Sequence, residues 1–143
     1  MRAVRGWALP LALTTSLCCW SFATSDRASR ALGAVWPVVS VLEISNVTAE
    51  DVDGLPSSLI SGKARKLRDC KYRGVTFYLG GPDGVPIEAK FLDKPQEREV
   101  GELFWSGLLV GVTPDRLWEV YGEVTHWCSS IEVISPFFIG GTK

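Results

Sequence analysis

Apolar residues recur at every second position through much of the chain after residue 35, the signature of half-buried β-strands. Val35 to Ile44 is nearly continuous in β-branched and apolar residues, and Pro37 fits an edge or a strand start. Asn46 to Gly54 is polar and acidic and predicts a loop. Leu59 to Leu67 alternates, and Lys71 to Leu79 does so clearly, with Val75, Phe77 and Leu79 on one face. Gly80-Gly81-Pro82-Asp83-Gly84 is the strongest turn, because Gly and Asp supply positive φ and Pro fixes the corner. Val85, Ile87, Ala89 and Phe91 then alternate in the return, so the two runs predict one hairpin.

Lys94 to Glu99 reads as a charged connection, and Leu103 to Val112 is apolar enough for a strand covered on both faces. Thr113-Pro114-Asp115 combines an N-cap, a first-turn proline and an acid at the positive end of a helix dipole, which predicts one helical turn. A longer helix through Tyr121 competes with a strand from Trp118 to Cys128, and Gly122 with the Val and Thr residues favours the strand. Ile131 to Ile139 closes the chain. Six or seven short strands over about 105 residues predict a mainly β domain, a β-sandwich of immunoglobulin or fibronectin type III character, at 35–143.

The N-terminus has a different pattern. Arg2 and Arg5 precede an uncharged run from Gly6 to Ala23, with Trp7 and Trp20 near its ends. A basic start and such a run predict an N-terminal transmembrane helix or a signal peptide. As a helix the run would be about 27 Å long, enough for a thin hydrocarbon core. Ser21-Phe22-Ala23 and Ala23-Thr24-Ser25 also offer small residues at signal-peptidase spacing, so cleavage stays open. Residues 1–25 are therefore read as a membrane anchor or signal segment and 26–34 as a short linker. The bases before the run place the N-terminus inside and export the rest, weakened by Arg27 and Arg30 beyond it.

Composition fits one globular domain: 143 residues, 46% apolar, 22% charged. Without Arg2 and Arg5 the exported part carries thirteen bases against sixteen acids, so a nucleic-acid partner is not expected. Within it, six bases fall in eleven residues: Lys63, Arg65, Lys66, Arg68, Lys71 and Arg73. By alternation Lys63, Arg65, Lys71 and Arg73 share one strand face. The ordinary reading is a solvated face that discourages strand pairing; the functional one is a patch for anionic lipid or an acidic envelope partner.

Cys70 and Cys128 are the only cysteines of the β region, and in an exported domain two such cysteines usually pair. A loop of about 60 residues gives up to about 4 kcal/mol by chain-entropy arithmetic. The pair would act as an inter-sheet staple; two buried free thiols are the alternative. His126 shares a strand face with Cys128, about 6 to 7 Å along the strand, too far for direct proton transfer. As the single histidine it rules out a multi-histidine metal site, and its ordinary reading is a half-buried or surface side chain bonded to backbone. The carboxylates, including Glu50, Asp51, Asp53, Glu97, Glu99 and Glu102, single out no catalytic pair, and the acidic loop lacks the EF-hand pattern. Asn46-Val47-Thr48 is a glycosylation sequon, relevant only in a eukaryotic secretory pathway. No catalytic residue, metal ligand or cofactor is expected.

Lys66-Leu67-Arg68-Asp69-Cys70, followed by Val124-Thr125-His126-Trp127-Cys128, resembles small single-span proteins of proteobacteria and their phages. Those proteins pair an N-terminal membrane segment with a short β-rich exported domain and have no assigned function. The resemblance covers the anchor and the two cysteine neighbourhoods, about a fifth of the chain. It implies a membrane-tethered domain with a cysteine bridge and carries over no catalytic residue. Ser129-Ser130 stand where that pattern has histidine and tryptophan.

The expected function is thus a membrane-anchored, non-enzymatic interaction module, single-pass in the inner membrane with its domain in the periplasm. Signal cleavage would instead leave it secreted or periplasmic. Two alternatives stand beside it: a phage-derived accessory envelope protein acting in assembly, lysis or exclusion, and a small envelope hydrolase.

Overall fold

Residues 25–92 and 99–139 are the part that the computed structural model describes. They contain helix α1 (Asp26–Val35) and strands β1 (Val39–Val52), β2 (Leu55–Lys66), β3 (Lys71–Leu79), β4 (Val85–Ile87), β5 (Ala89–Phe91), β6 (Gly101–Leu109), β7 (Val120–Cys128) and β8 (Ile131–Phe138). A 3-10 helix, Pro114–Glu119, joins β6 to β7. The strands form two antiparallel four-stranded sheets, ordered β1-β2-β6-β5 and β4-β3-β7-β8. The expectation of a mainly β architecture holds.

The sheets face each other across one core. Ile60 and Leu109 of the first meet Phe77 and Val120 of the second, with Val112, Leu117 and Ile139. Phe77 is the centre, 6.1 Å from the Phe91 ring and 5.7 Å from Phe137. Fully burying a side chain of this size contributes about 1.5–3 kcal/mol, which is what the period-two pattern of β3 secures. A second cluster of Val38, Val39, Ala64, Cys70 and Val133 fills the other end.

Several sequence expectations need correction. The stretch 26–34, expected as a linker, is part of α1, which packs on β8. Its buried face is made of small residues, Ala28, Ser29 and Gly33, so no apolar stripe announces it. At Gly33 any Cβ would strike the Ile134 carbonyl, so the absence of a side chain permits the contact. Asn46 to Gly54 is not a loop: β1 runs to Val52, and Gly54 then takes positive φ in the turn, donating its N–H to Asp51 Oδ1 at 2.9 Å. Residues 45–51 are exposed on both faces, which erases the alternation.

The expected return strand after the turn divides at Glu88. Val85–Ile87 pairs with β3 as expected, while Ala89–Phe91 crosses to pair with β6 in the other sheet. There the Phe91 ring lies against Gly107. Finally, β6 is not covered on both faces: it ends at Leu109, and Phe104 is 61% exposed on the outside. The anchor or signal reading of 1–25 falls on residues outside those described, Ser25 excepted. Among the described residues no helix is long and apolar enough to cross a membrane.

Candidate functional site

Chemistry-bearing side chains gather where β2 ends, β3 begins and β7 ends. Cys70 immediately precedes β3, Cys128 closes β7, and the Lys71↔Trp127 pairing sets the two cysteines opposite each other. They form the expected disulfide, with Cα atoms 4.6 Å apart. Its role differs from the expectation. β3 and β7 are neighbours in one sheet, so the bridge ties adjacent strands and is not an inter-sheet staple. The separation is that of a directly opposite antiparallel pair.

The basic residues do not form the single stripe that alternation suggested. Lys63 and Arg65 lie on β2 and Lys71 and Arg73 on β3, which belong to different sheets. Alternation fixes a common face only within one continuous strand, and the chain turns between Lys66 and Lys71 into the other sheet. Lys63 Nζ sits 5.6 Å from the Phe104 ring centre, and Arg65 Nη2 is 3.6 Å from Glu102 Oε1. Arg73 extends over Trp127 at 6.0 Å. Arg68 stacks on Trp36 at 4.1 Å while donating to the Pro37 carbonyl, which ties the chain after α1 to this end. Lys66 takes the inward register and is 4% exposed.

His126 is buried, not half-buried: 2% of it is exposed, on the core side of β7 opposite Tyr72 and Val133. The Tyr72 and His126 rings meet edge to face at 5.8 Å. Burial, and then the nearby Lys66 ammonium, pull the imidazole pKa down to about 4, so it is neutral at pH 7. No group among the described residues hydrogen-bonds its Nδ1. With Cys70 and Cys128 in the bridge, no described residue offers a thiol for this imidazole to activate. Among the described residues no group of three His, Cys, Asp or Glu is arranged to hold a metal ion.

Sequence reasoning missed a second polar cluster on the opposite face of β7. Arg30 of α1 donates from Nε to Glu123 Oε1 at 2.6 Å and from Nη2 to Oε2 at 3.3 Å. Tyr121 donates its hydroxyl to the same Oε1 at 2.9 Å. Glu123 is thereby a buried carboxylate with both oxygens engaged, the condition under which burial of a charge is tolerable. Burial and then Glu123 raise the Tyr121 pKa above that of an ordinary phenol. The available signal was Glu123, the one carboxylate of β7, two residues from Tyr121 and so on its face; the partner lies 93 residues away in a stretch read as linker.

The contacts of α1 also fix its direction. Gly33 lies on Ile134, and Arg30 reaches Glu123, which pairs with Pro136. The helix therefore runs antiparallel to β8, starting near Phe138 and ending near the bridge.

Comparison with known proteins adds no relative: no family model, curated protein or solved structure matches this chain.

Proposed function

We propose that the chain is an exported, non-enzymatic interaction module of the cell envelope, held by its N-terminal segment in the inner membrane with the domain in the periplasm. The observation that carries this reading is the direction of α1. α1, which follows the uncharged run Gly6–Ala23 in sequence, begins at the Phe138 end, whereas Lys63 and Arg65 on one sheet and Lys71 and Arg73 on the other lie toward the bridge end. An anchor at the first end leaves the bases remote from the anchoring bilayer. That favours an acidic partner in the exported compartment over the lipid headgroups of the same membrane. The disulfide supports an oxidising compartment, where such bonds persist.

We assign the sandwich to the immunoglobulin or fibronectin type III class on its strand order. β1-β2-β6-β5 corresponds to A-B-E-D, and β4-β3-β7-β8 to C′-C-F-G. The bridge departs from the antibody pattern, joining the C and F positions in one sheet instead of B and F across two. Fold class does not fix function, so the interaction role rests on the charge polarity.

The test is recovery of partners from solubilised membranes by the full-length chain. Wild type should retain a protein that the variant Lys63→Glu, Arg65→Glu, Lys71→Glu, Arg73→Glu does not, and reversing each pair alone should show which sheet carries the contact. Retention by the fourfold variant would reject the acidic-partner reading. Tighter binding to anionic than to neutral vesicles, lost by about 1 kcal/mol per reversed base at low salt, would favour lipid instead.

A further inference from the structure

The free edge of β1 bears on a different interaction. This strand is flanked only by β2 in its sheet. Two bulges interrupt its ladder, at 41–43 and 44–46, but from Asn46↔Ser61 to Val52↔Leu55 the register is unbroken. In an antiparallel ladder alternate residues turn their N–H and C=O away from the partner strand. Residues 45–51 are exposed on both faces, so among the described residues nothing covers that outward row. The other edges are closed or short. β4 and β5 have three residues each, and beside β8 the Ser135 hydroxyl accepts from Val38 and Val39 N–H at 2.9 and 3.4 Å while α1 packs on the strand.

We propose that β1 pairs antiparallel with β1 of a second copy of this chain, centred on Thr48, joining the two β1-β2-β6-β5 sheets into one. The side-chain pattern selects this occupant. Residues 45–52 contain no Lys, Arg or Pro, which commonly block strand edges, and their only charges are Glu50 and Asp51. A parallel pair in register would oppose Glu50 to the partner's Glu50. The antiparallel arrangement about Thr48 instead sets Asn46, an amide donor, against the partner's Glu50. On the other face it sets Val47 against the partner's Ala49. Val47 shares the side of Ile60, so the apolar pair continues the inner face of the sheet and the Asn–Glu pair its solvent face. A strand pair of this length is smaller than a standard stable interface, so the dimer is concentration-dependent and strengthens where chains share a membrane. The pairing itself does not depend on the anchor.

The test is oxidative cross-linking of the full-length chain in detergent, in a Cys18→Ser, Cys19→Ser background. Thr48→Cys should give a covalent dimer, because opposed residues of a strand pair lie within disulfide reach. Glu43→Cys should give almost none, since the two copies of residue 43 would be about 30 Å apart. Adding Ala49→Pro should cut the Thr48→Cys yield severalfold, with near-ultraviolet circular dichroism reporting an unchanged core. Dimer formation at Thr48→Cys alone supports the pairing. A monomeric Thr48→Cys chain, as when the edge is covered by the chain itself or by a different partner, overturns it, and so does equal cross-linking through Glu43→Cys.

Discussion

At one end of the sandwich a disulfide, a buried histidine and a run of bases are held together, while at the other the strands run out into an acidic hairpin. The bridge end has Cys70–Cys128, His126 and Lys66 inside, and Arg68 stacked on Trp36. The opposite end carries Asp53 and Asp83 in turns, Asp51 at the end of β1 and Asp115 in the 3-10 helix, with Val85, Trp118 and Phe138 open to solvent. α1 spans the two, starting at the acidic end and pinned to β7 midway by Arg30 and Glu123. The contrast teaches where order is imposed. The bridge end is covalently fixed and presents positive charge on rigid strands, which suits a docking surface. The opposite end is where α1 begins.

The largest expected effect removes the covalent half of that contrast. Cys70→Ser or Cys128→Ser should each cost about 2–4 kcal/mol in denaturant unfolding, with the double variant no worse than either single one. A cost near zero would mean that packing alone orders the bridge end. The buried histidine gives the next effect. Its pKa of about 4 in the folded state lies below the ordinary 6.5, so between those values the unfolded chain binds the proton more readily. Stability should therefore be full above pH 6.5, fall as pH drops, and lose roughly 3 kcal/mol from this group by pH 4. In His126→Leu that slope should vanish from thermal melts between pH 6.5 and 4.5, above the range where carboxylates dominate.

Arg30 tests the link between the ends. Arg30→Leu leaves Glu123 buried without its cation and should cost about 2–3 kcal/mol, whereas Arg30→Leu with Glu123→Leu should recover most of that loss. The smallest effect belongs to the surface bases. Reversing Lys63, Arg65, Lys71 and Arg73 to Glu should change stability by no more than about 1 kcal/mol in total while weakening partner capture. A large loss of stability would give these residues a structural role.

Legibility in the sequence followed the same division. The limits of β3, Lys71–Leu79, agree with its alternation, because one of its faces meets the core at Phe77 and the next residues form an obligatory turn. The cysteine pairing was readable from compartment logic, but its geometry was not, since spacing cannot say whether two strands are neighbours or face each other. The acidic half of β1 hid because both its faces meet water. The small-residue face of α1 hid because it packs by close approach and not by apolar bulk. The split of the basic residues between sheets followed from the chain reversal at residues 67–70, where periodicity stops carrying information. Glu123 was visible as an anomaly, but its partner was too distant in sequence to find.

The proposed polarity of the domain relative to a bilayer is tested most directly by energy transfer from tryptophan to dansyl-labelled lipid headgroups. The full-length chain, with Trp7→Phe and Trp20→Phe to silence the N-terminal segment, would be reconstituted in vesicles. Of the four tryptophans that remain, Trp118, 69% exposed at the acidic end, and Trp36, 40% exposed near the bridge, are substituted in turn, with Trp105 and Trp127 as a constant background. Adding Trp118→Phe should remove most of the transfer and adding Trp36→Phe little of it. Loss of transfer with Trp36→Phe instead would put the basic end against the bilayer and contradict the proposed orientation.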